Sequence, residues 1–375
     1  MTLPVRDDVP LAPLTTLELG GNARHLVEAA DDDTLVEALR WAEARGLPAL
    51  ILGGGSNVVI ADRGWDGLVV RVATRGRRFA APSATSATSA TSATSDGTVT
   101  LTAAAGEPWD DVVADTVARG LAGLECLSGI PGLVGATPIQ NVGAYGQEVA
   151  DTIRSVTVVE RASKRIVELA PAACAFAYRD SAFKHDPDRF VVLAVTFALR
   201  AGGAPTLRYR ELAETKSLND GTPPTLAQVR AAVLALRRKK SMLIVDGDPN
   251  RRSVGSFFTN PIVAAAEADA VAARAVALGA IARADEMPRW PASGGAIKLS
   301  AGWLIERAGI RKGQRRGAVG VSTAHALALV HLGGGSTAEL LELAREVRDA
   351  VHGRFAMTLL PEPTMIGVAW PPPGI

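Results

Sequence analysis

Residues 128–146 of the chain, SGIPGLVGATPIQNVGAYG, combine frequent glycine with small polar side chains. Such a composition destabilises an ordinary helix or strand, because glycine loses much conformational freedom on folding. A backbone without Cβ atoms can, however, approach a flat or phosphorylated ligand closely, and its N–H groups can turn toward an anion. We therefore interpret this stretch as a loop that binds a ligand.

A second glycine cluster, LGGGSN at 52–57, follows an apolar run at 49–52 that is typical of a strand. Its glycines would let backbone N–H groups converge on an anion, and Ser56 and Asn57 could add side-chain hydrogen bonds. On its own, the cluster fits a plain tight turn equally well. Two such loops in one chain suit a long ligand with a diphosphate in its middle.

The overall composition restricts the class of protein. With 375 residues, the chain is long enough for two or three domains. Its 47% hydrophobic and 21% charged residues supply buried cores and exclude global disorder. A formal net charge of +1 argues against a nucleic-acid binder or a membrane-surface protein. The sequence has no signal-peptide pattern and no run of 18 apolar residues, so we expect a cytoplasmic protein.

Several common catalytic signatures do not occur in the sequence. It has no G-x-x-x-x-G-K-[ST] motif, and no G-x-G-x-x-G follows a strand near its N-terminus. It also lacks H-E-x-x-H, and its five histidines are scattered. Cys126 and Cys174 are too few for a disulfide framework or a cysteine-rich zinc site. We therefore predict that the protein has no metal centre.

The hydrophobic patterns predict a mixture of helices and strands. Helices are expected after the acidic cap at 31–33, from Trp109 to Gly120, along the apolar stripe 226–236, and from a capping box at Ser336 and Glu339 to Gly353. Strands are expected at 49–52, 68–72, 99–102, 156–160, 165–169 and 190–199. The tandem Ser-Ala-Thr tract at 83–95 has no large apolar side chain, so we interpret it as an expanded surface loop.

Five motifs, taken together and in this order, resemble one known family. They are LGGGSN (52–57), SGIPGLVGATPIQNVGAYG (128–146), YRDSAFK (178–184), GSFFTNP (255–261) and PEP (361–363). The family is UDP-N-acetylenolpyruvoylglucosamine reductase, whose flavoenzymes complete UDP-N-acetylmuramate in bacterial peptidoglycan synthesis. The resemblance covers nearly the whole chain, from residue 15 to residue 367. The tract at 83–95 and the proline-rich tail after Trp370 depart from the pattern without touching a family motif.

The resemblance implies an α+β protein with two kinds of domain. The FAD-binding part would have the fold shared with vanillyl-alcohol oxidase and p-cresol methylhydroxylase, and a separate α/β domain would bind the substrate. We assign the first FAD-binding subdomain to 1–75, with 356–375 returning to it, and the second to 76–215. A connecting helix at 216–245 would lead to the substrate-binding domain at 246–355.

By the same resemblance, both glycine-rich loops bind FAD. The residues implied are Gly53, Gly54, Gly55, Ser56 and Asn57 for the diphosphate, and Ser128, Gly129, Ile130, Gly132, Gly135, Ala136, Gln140, Asn141, Gly143 and Ala144 for the rest of the cofactor. Many relatives on this FAD fold attach the flavin covalently through histidine, cysteine or tyrosine. Neither loop contains a histidine, so we expect noncovalent FAD, although Cys126 and Tyr145 flank the second loop.

The implied reaction is the reduction of UDP-N-acetylenolpyruvoylglucosamine by NADPH. NADPH would reduce FAD, flavin N5 would pass hydride to the enolpyruvyl β-carbon, and the α-carbon would then take a proton. Because negative charge builds up on the substrate carboxylate, the site needs positive or hydrogen-bonding groups there. The matching catalytic residues of this sequence are Arg179, Ser256 and Glu362.

Each of these three residues also has an ordinary structural interpretation. Arg179 could hold a carboxylate with its planar fork, or it could pair with Asp180 on the surface. Glu362, if buried beside the substrate carboxylate, would have a raised pKa and could donate a hydrogen bond; otherwise it is a solvated residue in a turn. Ser256 could donate the proton, or it could be a turn residue beside two phenylalanines.

Five further residues match positions that bind substrate in the family: Tyr178, Tyr209, Lys240, Asn260 and Lys312. The basic run at 237–240 suits a nucleotide diphosphate, but it equally suits a cation cluster at a helix C-terminus. We expect a monomer that uses NADPH and the enolpyruvyl sugar nucleotide, with no nucleic-acid or membrane partner.

Two other functions remain open from the sequence. The first is another oxidoreductase on the same flavin fold, such as an oxidase that passes electrons to oxygen. Bleaching of the flavin by NADPH without air, followed by reoxidation by the enolpyruvyl substrate, would separate the two. The second is a catalytically silent sugar-nucleotide-binding protein, which predicts a colourless preparation.

Overall fold

The computed structural model of the chain describes residues 3–80, 97–218 and 221–372. The tract at 83–95 lies outside these residues, and its interpretation stays a prediction. Within them, no helix is long and apolar enough to cross a membrane. The chain forms two compact units, the first made of Met1–Val9, Ala23–Gly54 and Asp66–Leu243 and the second of Pro10–Asn22, Gly55–Trp65 and Ile244–Ile375. These units do not test the domain boundaries assigned from the sequence, which remain a proposal.

The strands are short and occur along most of the chain. In chain order they are β1 (Arg6–Pro10), β2 (Asn22–Ala29), β3 (Ala49–Leu52), β4 (Val58–Ile60), β5 (Trp65–Val72), β6 (Arg77–Ala80), β7 (Thr98–Ala104), β8 (Leu121–Ala122), β9 (Gly143–Ala144), β10 (Gln147–Glu148), β11 (Ile153–Glu160), β12 (Ile166–Leu169), β13 (Phe190–Ala201), β14 (Ile262–Val263), β15 (Arg289–Pro291), β16 (Ile297–Leu299), β17 (Arg315–Arg316), β18 (Val319–Val321), β19 (Leu329–His331) and β20 (Thr364–Ile366). The six strands predicted from the sequence are confirmed.

The α-helices are α1 (Asp32–Glu43), α2 (Trp109–Ala118), α3 (Pro171–Cys174), α4 (Ala182–His185), α5 (Arg210–Ala213), α6 (Leu226–Lys239), α7 (Ala265–Ala277), α8 (Ala301–Arg307) and α9 (Thr337–Phe355). The predicted helices correspond to α1, α2, α6 and α9.

The two larger sheets lie in the first unit. One has the strand order β1-β2-β5-β3, and the other has the order β12-β11-β13-β7-β6 with β8 beside β13. Buried and half-buried positions alternate along much of β13, as in a strand with one face on the core. β3 and β5 run parallel. The first glycine cluster therefore begins at the carboxyl end of a parallel pair, where α/β sheets commonly bind ligands.

Helices α1 and α2 pack their apolar faces into the core of the first unit. The Asp31 side chain caps α1 by accepting a hydrogen bond from the Thr34 N–H at 2.7 Å. Trp109, the first residue of α2, is 1% exposed. Its indole N–H donates to the Leu127 carbonyl at 3.1 Å, which fixes the chain just before the second glycine-rich loop.

The second unit has smaller sheets, with the strand orders β14-β16-β15 and β17-β18-β19, and a parallel pair of β20 with β4. In that pair, Thr364 lies opposite Val58, and the Thr364 N–H donates to the Asn57 carbonyl at 2.9 Å. The end of the first glycine cluster and the residues after the PEP motif are thereby adjacent.

Helix α9 begins as predicted but ends later. Ser336 and Glu339 form the capping box, and the Ser336 hydroxyl accepts from the Glu339 N–H at 3.2 Å. The prediction that Gly353 ends the helix is wrong, because α9 continues to Phe355 and ends at Ala356 in a left-handed conformation. Glycine inside a helix costs only about 1 kcal/mol. Burial of Phe355, which is 1% exposed, compensates for that cost.

Candidate active site

Gly53, directly after β3, leaves an open space beside the backbone. Its φ lies outside the left-handed region, and among the described residues an added Cβ would meet only the Leu133 Cδ1 atom, at 3.8 Å. Within the same part of the chain, the N–H groups of Gly53 and Gly54 donate to no main-chain carbonyl. Packing and backbone conformation thus do not require glycine at position 53. Close approach of a ligand does explain it, so this position fits a cofactor cradle.

Packing and backbone conformation explain other glycines of the two loops. A Cβ on Gly54 would lie 3.0 Å from the Gly132 Cα atom, and a Cβ on Gly135 would lie 2.6 Å from the Ala105 Cβ atom. Gly55 has a φ of +63°, which side-chain-bearing residues rarely adopt. The glycine content of the loops therefore has two causes, which are close contact of backbone segments and access for a ligand.

Buried and partly buried hydrogen bonds hold the start of the second loop. The Ser128 hydroxyl, which is fully buried, donates to the Glu125 carbonyl at 2.6 Å. The Gly129 N–H donates to Asp110 Oδ1 at 2.5 Å. The Arg230 guanidinium donates to both oxygens of the same carboxylate, at 2.6 and 2.8 Å. Asp110 therefore links the loop to helix α6.

Asp110 remains ionised despite its partial burial. Burial disfavours the charged carboxylate, but hydrogen bonds from Arg230 and from the Gly129 N–H outweigh burial and hold the pKa of Asp110 below its usual 3.8. The sequence analysis missed this residue. Its only signal was its place in the first turn of α2, where acids are common for reasons of the helix dipole alone.

The second loop and the YRDSAFK motif meet in the first unit. The Asn141 side chain, which is 1% exposed, donates to Glu148 Oε2 at 2.7 Å and to the Ala177 carbonyl at 3.0 Å. Arg179 Nη2 donates to the Gly143 carbonyl at 2.7 Å. Two motifs that are separate in the sequence therefore form one cluster.

Arg179 is held in an unusual backbone conformation. Its φ of +54° lies in the left-handed region, which is uncommon for a residue with a side chain and is often found at functional sites. The half-buried guanidinium lies 5.3 Å from the Tyr178 ring. Asp180, the alternative partner considered for Arg179, contacts His185 Nε2 at 2.7 Å. This arrangement can present a directed cation to a carboxylate.

Tyr209 and Lys240 lie near Tyr145. The two tyrosine rings meet edge to face with centroids 5.5 Å apart. Burial raises the pKa of Tyr145 to about 12 and also raises the pKa of Tyr209, so both hydroxyls stay protonated and can donate hydrogen bonds. Lys240 Nζ donates to Glu211 Oε2 at 2.6 Å, two residues after Tyr209. The first unit thus groups these predicted substrate-binding residues.

Cys126 is a buried, protonated thiol. Burial raises its pKa to about 12, and its Sγ donates to the Thr206 carbonyl at 3.2 Å. A thiolate, not a thiol, is the reactive nucleophile. Cys126 is therefore a poor candidate for covalent attachment of a flavin.

Ser256 and Glu362 come together in the second unit. The Glu362 N–H donates to the Phe257 carbonyl at 2.8 Å, and Phe258 forms an antiparallel bridge with Pro361. The Phe257 N–H in turn donates to the Leu327 carbonyl at 2.7 Å. Both predicted catalytic residues are half-buried. The backbone of Glu362 and the residues that directly follow Ser256 are thus held in one short ladder.

The two other predicted substrate-binding residues of this unit differ in their surroundings. Asn260 Oδ1 accepts a hydrogen bond from the Ala301 N–H at 3.0 Å, at the first turn of α8. Lys312 is exposed and forms an ion pair with Glu306 at 3.2 Å. Asn260 therefore lies on the segment that carries Ser256, whereas Lys312 lies on a separate surface loop.

Comparisons with known proteins agree on one family. A family model described as UDP-N-acetylenolpyruvoylglucosamine reductase, C-terminal domain, matches residues 248–366, and a model described as FAD binding domain matches residues 23–170. The curated UDP-N-acetylenolpyruvoylglucosamine reductases of Saccharopolyspora erythraea and Streptomyces coelicolor are 50% and 48% identical to the chain. Each alignment covers 96% of this chain. The alignments cover 95% of the length of the first relative and 90% of the length of the second.

A solved structure supports the fold. The crystal structure of UDP-N-acetylenolpyruvylglucosamine reductase from Thermus caldophilus matches with a TM-score of 0.61 and 24% sequence identity. The match covers 97% of this chain and 100% of that chain. Of the predicted fold class, the FAD-binding fold and the separate domain that follows it are confirmed. FAD is the cofactor of this fold.

Proposed function

The chain belongs to the UDP-N-acetylenolpyruvoylglucosamine reductase family, and from that premise we propose that it reduces UDP-N-acetylenolpyruvoylglucosamine to UDP-N-acetylmuramate with NADPH as the electron donor. Its relatives make it an FAD-dependent oxidoreductase. The observation that carries the proposal is 50% identity over 96% of the chain with a reductase of that name. The cytoplasmic location and the monomeric state expected from the sequence stay predictions.

Bound FAD would supply hydride chemistry, and the residues of this chain would bind and protonate the substrate. The Gly53 cradle and the loop around Gly129 would hold the cofactor. The open space beside Gly53 supports the first assignment, since no packing contact requires a glycine there. The second assignment is supported by the anchoring of the Gly129 N–H on Asp110, which limits movement of the loop.

Arg179 would stabilise the negative charge that forms on the substrate carboxylate. Its guanidinium is directed by the 2.7 Å bond to the Gly143 carbonyl, so little rearrangement is needed when charge develops. Its planar fork can bind a carboxylate through two parallel hydrogen bonds. The strained backbone at this residue supports a functional role over an incidental surface position.

Ser256 and Glu362 would complete the reaction. Glu362, as a neutral acid, would donate a hydrogen bond to the developing carboxylate charge, and the Ser256 hydroxyl would give its proton to the α-carbon. The hydrogen bond from the Glu362 N–H to the Phe257 carbonyl supports a joint role of Ser256 and Glu362, because it holds the backbone of Glu362 beside the residue that follows Ser256.

The flavin would be noncovalent. Neither loop contains a histidine, and Cys126 is held as a neutral thiol by burial. The Tyr145 hydroxyl is neutral for the same reason.

Replacement of Ser256 tests the proposed function. In the Ser256→Ala variant, bleaching of the flavin by NADPH should keep its normal rate, because that step needs no proton at a substrate carbon. Reoxidation by the enolpyruvyl substrate should slow by about 10²–10⁴-fold, as expected for a lost general acid. Ser256→Cys retains a dissociable proton and should recover part of the rate. Rapid-mixing absorbance follows each half-reaction separately.

Ser253→Ala is the matched control for this experiment. Ser253 lies on the same segment, and its hydroxyl accepts a long 3.3 Å bond from the Gly255 N–H, so both half-reactions should stay normal. Equal damage to both half-reactions in Ser256→Ala would assign Ser256 a structural role. An unmutated protein that is reduced by NADPH but reoxidised by air and not by the enolpyruvyl substrate would refute the proposed function.

A further inference from the structure

Helix α9 carries an arginine with no exposed surface. Arg348 is 0% exposed, and its Nε donates to Asp349 Oδ1 at 2.8 Å. Its Nη1 donates to the Pro371 carbonyl, in the tail that follows the last family motif. Among the described residues, Nη2 has no hydrogen-bond partner. A buried cation with incomplete hydrogen bonding depends strongly on the contacts that it does have.

Trp370 supplies another of those contacts. The Arg348 Cζ atom lies 5.1 Å from the centre of the Trp370 ring, within the range of a cation–π interaction. The same ring packs against Phe257 and Phe258, with centroids 6.1 and 6.2 Å away. Trp370 therefore contacts the buried arginine and a phenylalanine pair at once.

This phenylalanine pair follows Ser256 directly in the chain. Phe257 and Phe258 are at most 1% exposed, and their rings lie 5.1 Å apart. The backbone of Phe257 accepts the Glu362 N–H, as described above. A shift of either ring would be transmitted to the ladder that holds Ser256 and Glu362, because closely packed interiors pass strain to their neighbours.

We propose that Trp370, held by Arg348, is a positioning residue for the catalytic pair Ser256 and Glu362. The C-terminal tail, with Trp370 at its start, would act as a clamp on the phenylalanine pair. The catalytic roles of Ser256 and Glu362 rest on the proposed function, whereas the clamp rests on contacts within the second unit. It assigns a role to a segment that lies outside every family motif.

The arginine explains why the tail has a defined position. Movement of the tail would take away both the ring face and the Pro371 carbonyl from a cation that has no access to water. An apolar side chain in place of Arg348 would let the tail slide without loss of an electrostatic contact. The buried charge therefore sets the register of Trp370 against the phenylalanine pair.

Two variants of Trp370 test the proposal. Trp370→Leu keeps part of the apolar volume at this partly exposed position but has no aromatic face. The variant should fold, while reoxidation of the reduced flavin by saturating enolpyruvyl substrate should slow by about 10–100-fold. Bleaching by NADPH should keep its normal rate. Trp370→Phe restores an aromatic face and should recover most of the reoxidation rate.

Trp303→Leu is the matched control. Trp303 lies in the same unit and has the same kinds of contact, with the Phe355 ring at 5.9 Å and the Arg307 Cζ atom at 5.9 Å. These contacts do not involve Ser256, Phe257 or Glu362. The control should lose thermal stability, yet both of its half-reactions should stay normal below its melting temperature.

Hydrogen exchange supplies a readout that does not depend on activity. The Glu362 amide should exchange faster in Trp370→Leu than in the unmutated protein or in Trp303→Leu, because the ladder opens more often. Unchanged exchange at Glu362 would overturn the clamp, and so would equal slowing of both half-reactions. If the unmutated protein fails to reduce the enolpyruvyl substrate, the proposed function is refuted while the exchange result still decides whether the clamp exists.

Discussion

Replacement of Gly53 by alanine separates a cofactor cradle from a plain tight turn. The added Cβ enters a space where, among the described residues, its nearest neighbour is Leu133 Cδ1 at 3.8 Å, which is an ordinary van der Waals contact. The backbone of Gly53 lies outside the left-handed region, so alanine can adopt it. The fold of the apoprotein should therefore be unaffected, and its stability should rise by about 0.4–1 kcal/mol.

The same Gly53→Ala variant should bind FAD less tightly. If FAD approaches the backbone at this position, the Cβ occupies volume that the ligand needs. Overpacking by one methyl group costs about 1–3 kcal/mol in a well-packed site. The Kd for FAD should then rise by about 5–150-fold. Titration of apoprotein with FAD, followed by flavin fluorescence, measures this change, and thermal melting of the apoprotein measures stability.

Two other glycine variants are the controls. Gly353→Ala adds a Cβ to helix α9 that, apart from its chain neighbours and the backbone of the helix itself, meets no described atom within 4 Å. It should stabilise the protein by about 1 kcal/mol without changing FAD affinity. Gly54→Ala places a Cβ 3.0 Å from the Gly132 Cα atom and should destabilise the apoprotein itself. A Gly53→Ala protein that binds FAD with normal affinity would refute the cradle and leave the tight turn as the explanation.

Two further predictions concern the flavin linkage and the second loop. Acid or heat should release all yellow colour into the supernatant, because burial raises the pKa of Cys126 to about 12 and keeps it an unreactive thiol; colour in the precipitate would show covalent attachment. Asp110→Asn should lower the free energy of unfolding at pH 7 by about 1–2 kcal/mol, allowing for a carboxylate that is 38% exposed. The pKa of Asp110 is held below 3.8 in the folded state, so its stabilisation is present above that pH and is lost as the pH falls through the folded pKa. In urea unfolding, the difference in stability between the variant and the unmutated protein should therefore shrink below about pH 4. A difference that stays constant with pH would contradict this role of Asp110.

Local signals in the sequence were sufficient for most of the helices and strands. Asp31 and Ser336 begin helices because their side chains accept backbone N–H groups within three residues, and such bonds depend only on the nearby sequence. The end of α9 was mispredicted for the opposite reason. Gly353 is a local signal for termination, but burial of Phe355 by distant parts of the fold outweighs it.

The motifs of the candidate site were also visible in the sequence, but the reasons for their residues were not. All glycines of the two loops looked alike, and only the structure separates Gly53, beside open space, from Gly135, against Ala105. That distinction depends on which atoms the fold brings to each Cβ position. No spacing along the chain encodes it.

Pairings between distant segments were decided by the tertiary structure alone. The sequence identified Ser256 and Glu362 by the motifs around them, yet their connection through Phe257 is a hydrogen bond between segments about a hundred residues apart. The tail after Trp370 looked like a departure from the family pattern, and the hydrogen bond from the buried Arg348 to its Pro371 carbonyl appears only in the fold. Local bonds follow from neighbouring residues, whereas contacts of this kind exist only once the chain has closed the long loops between them.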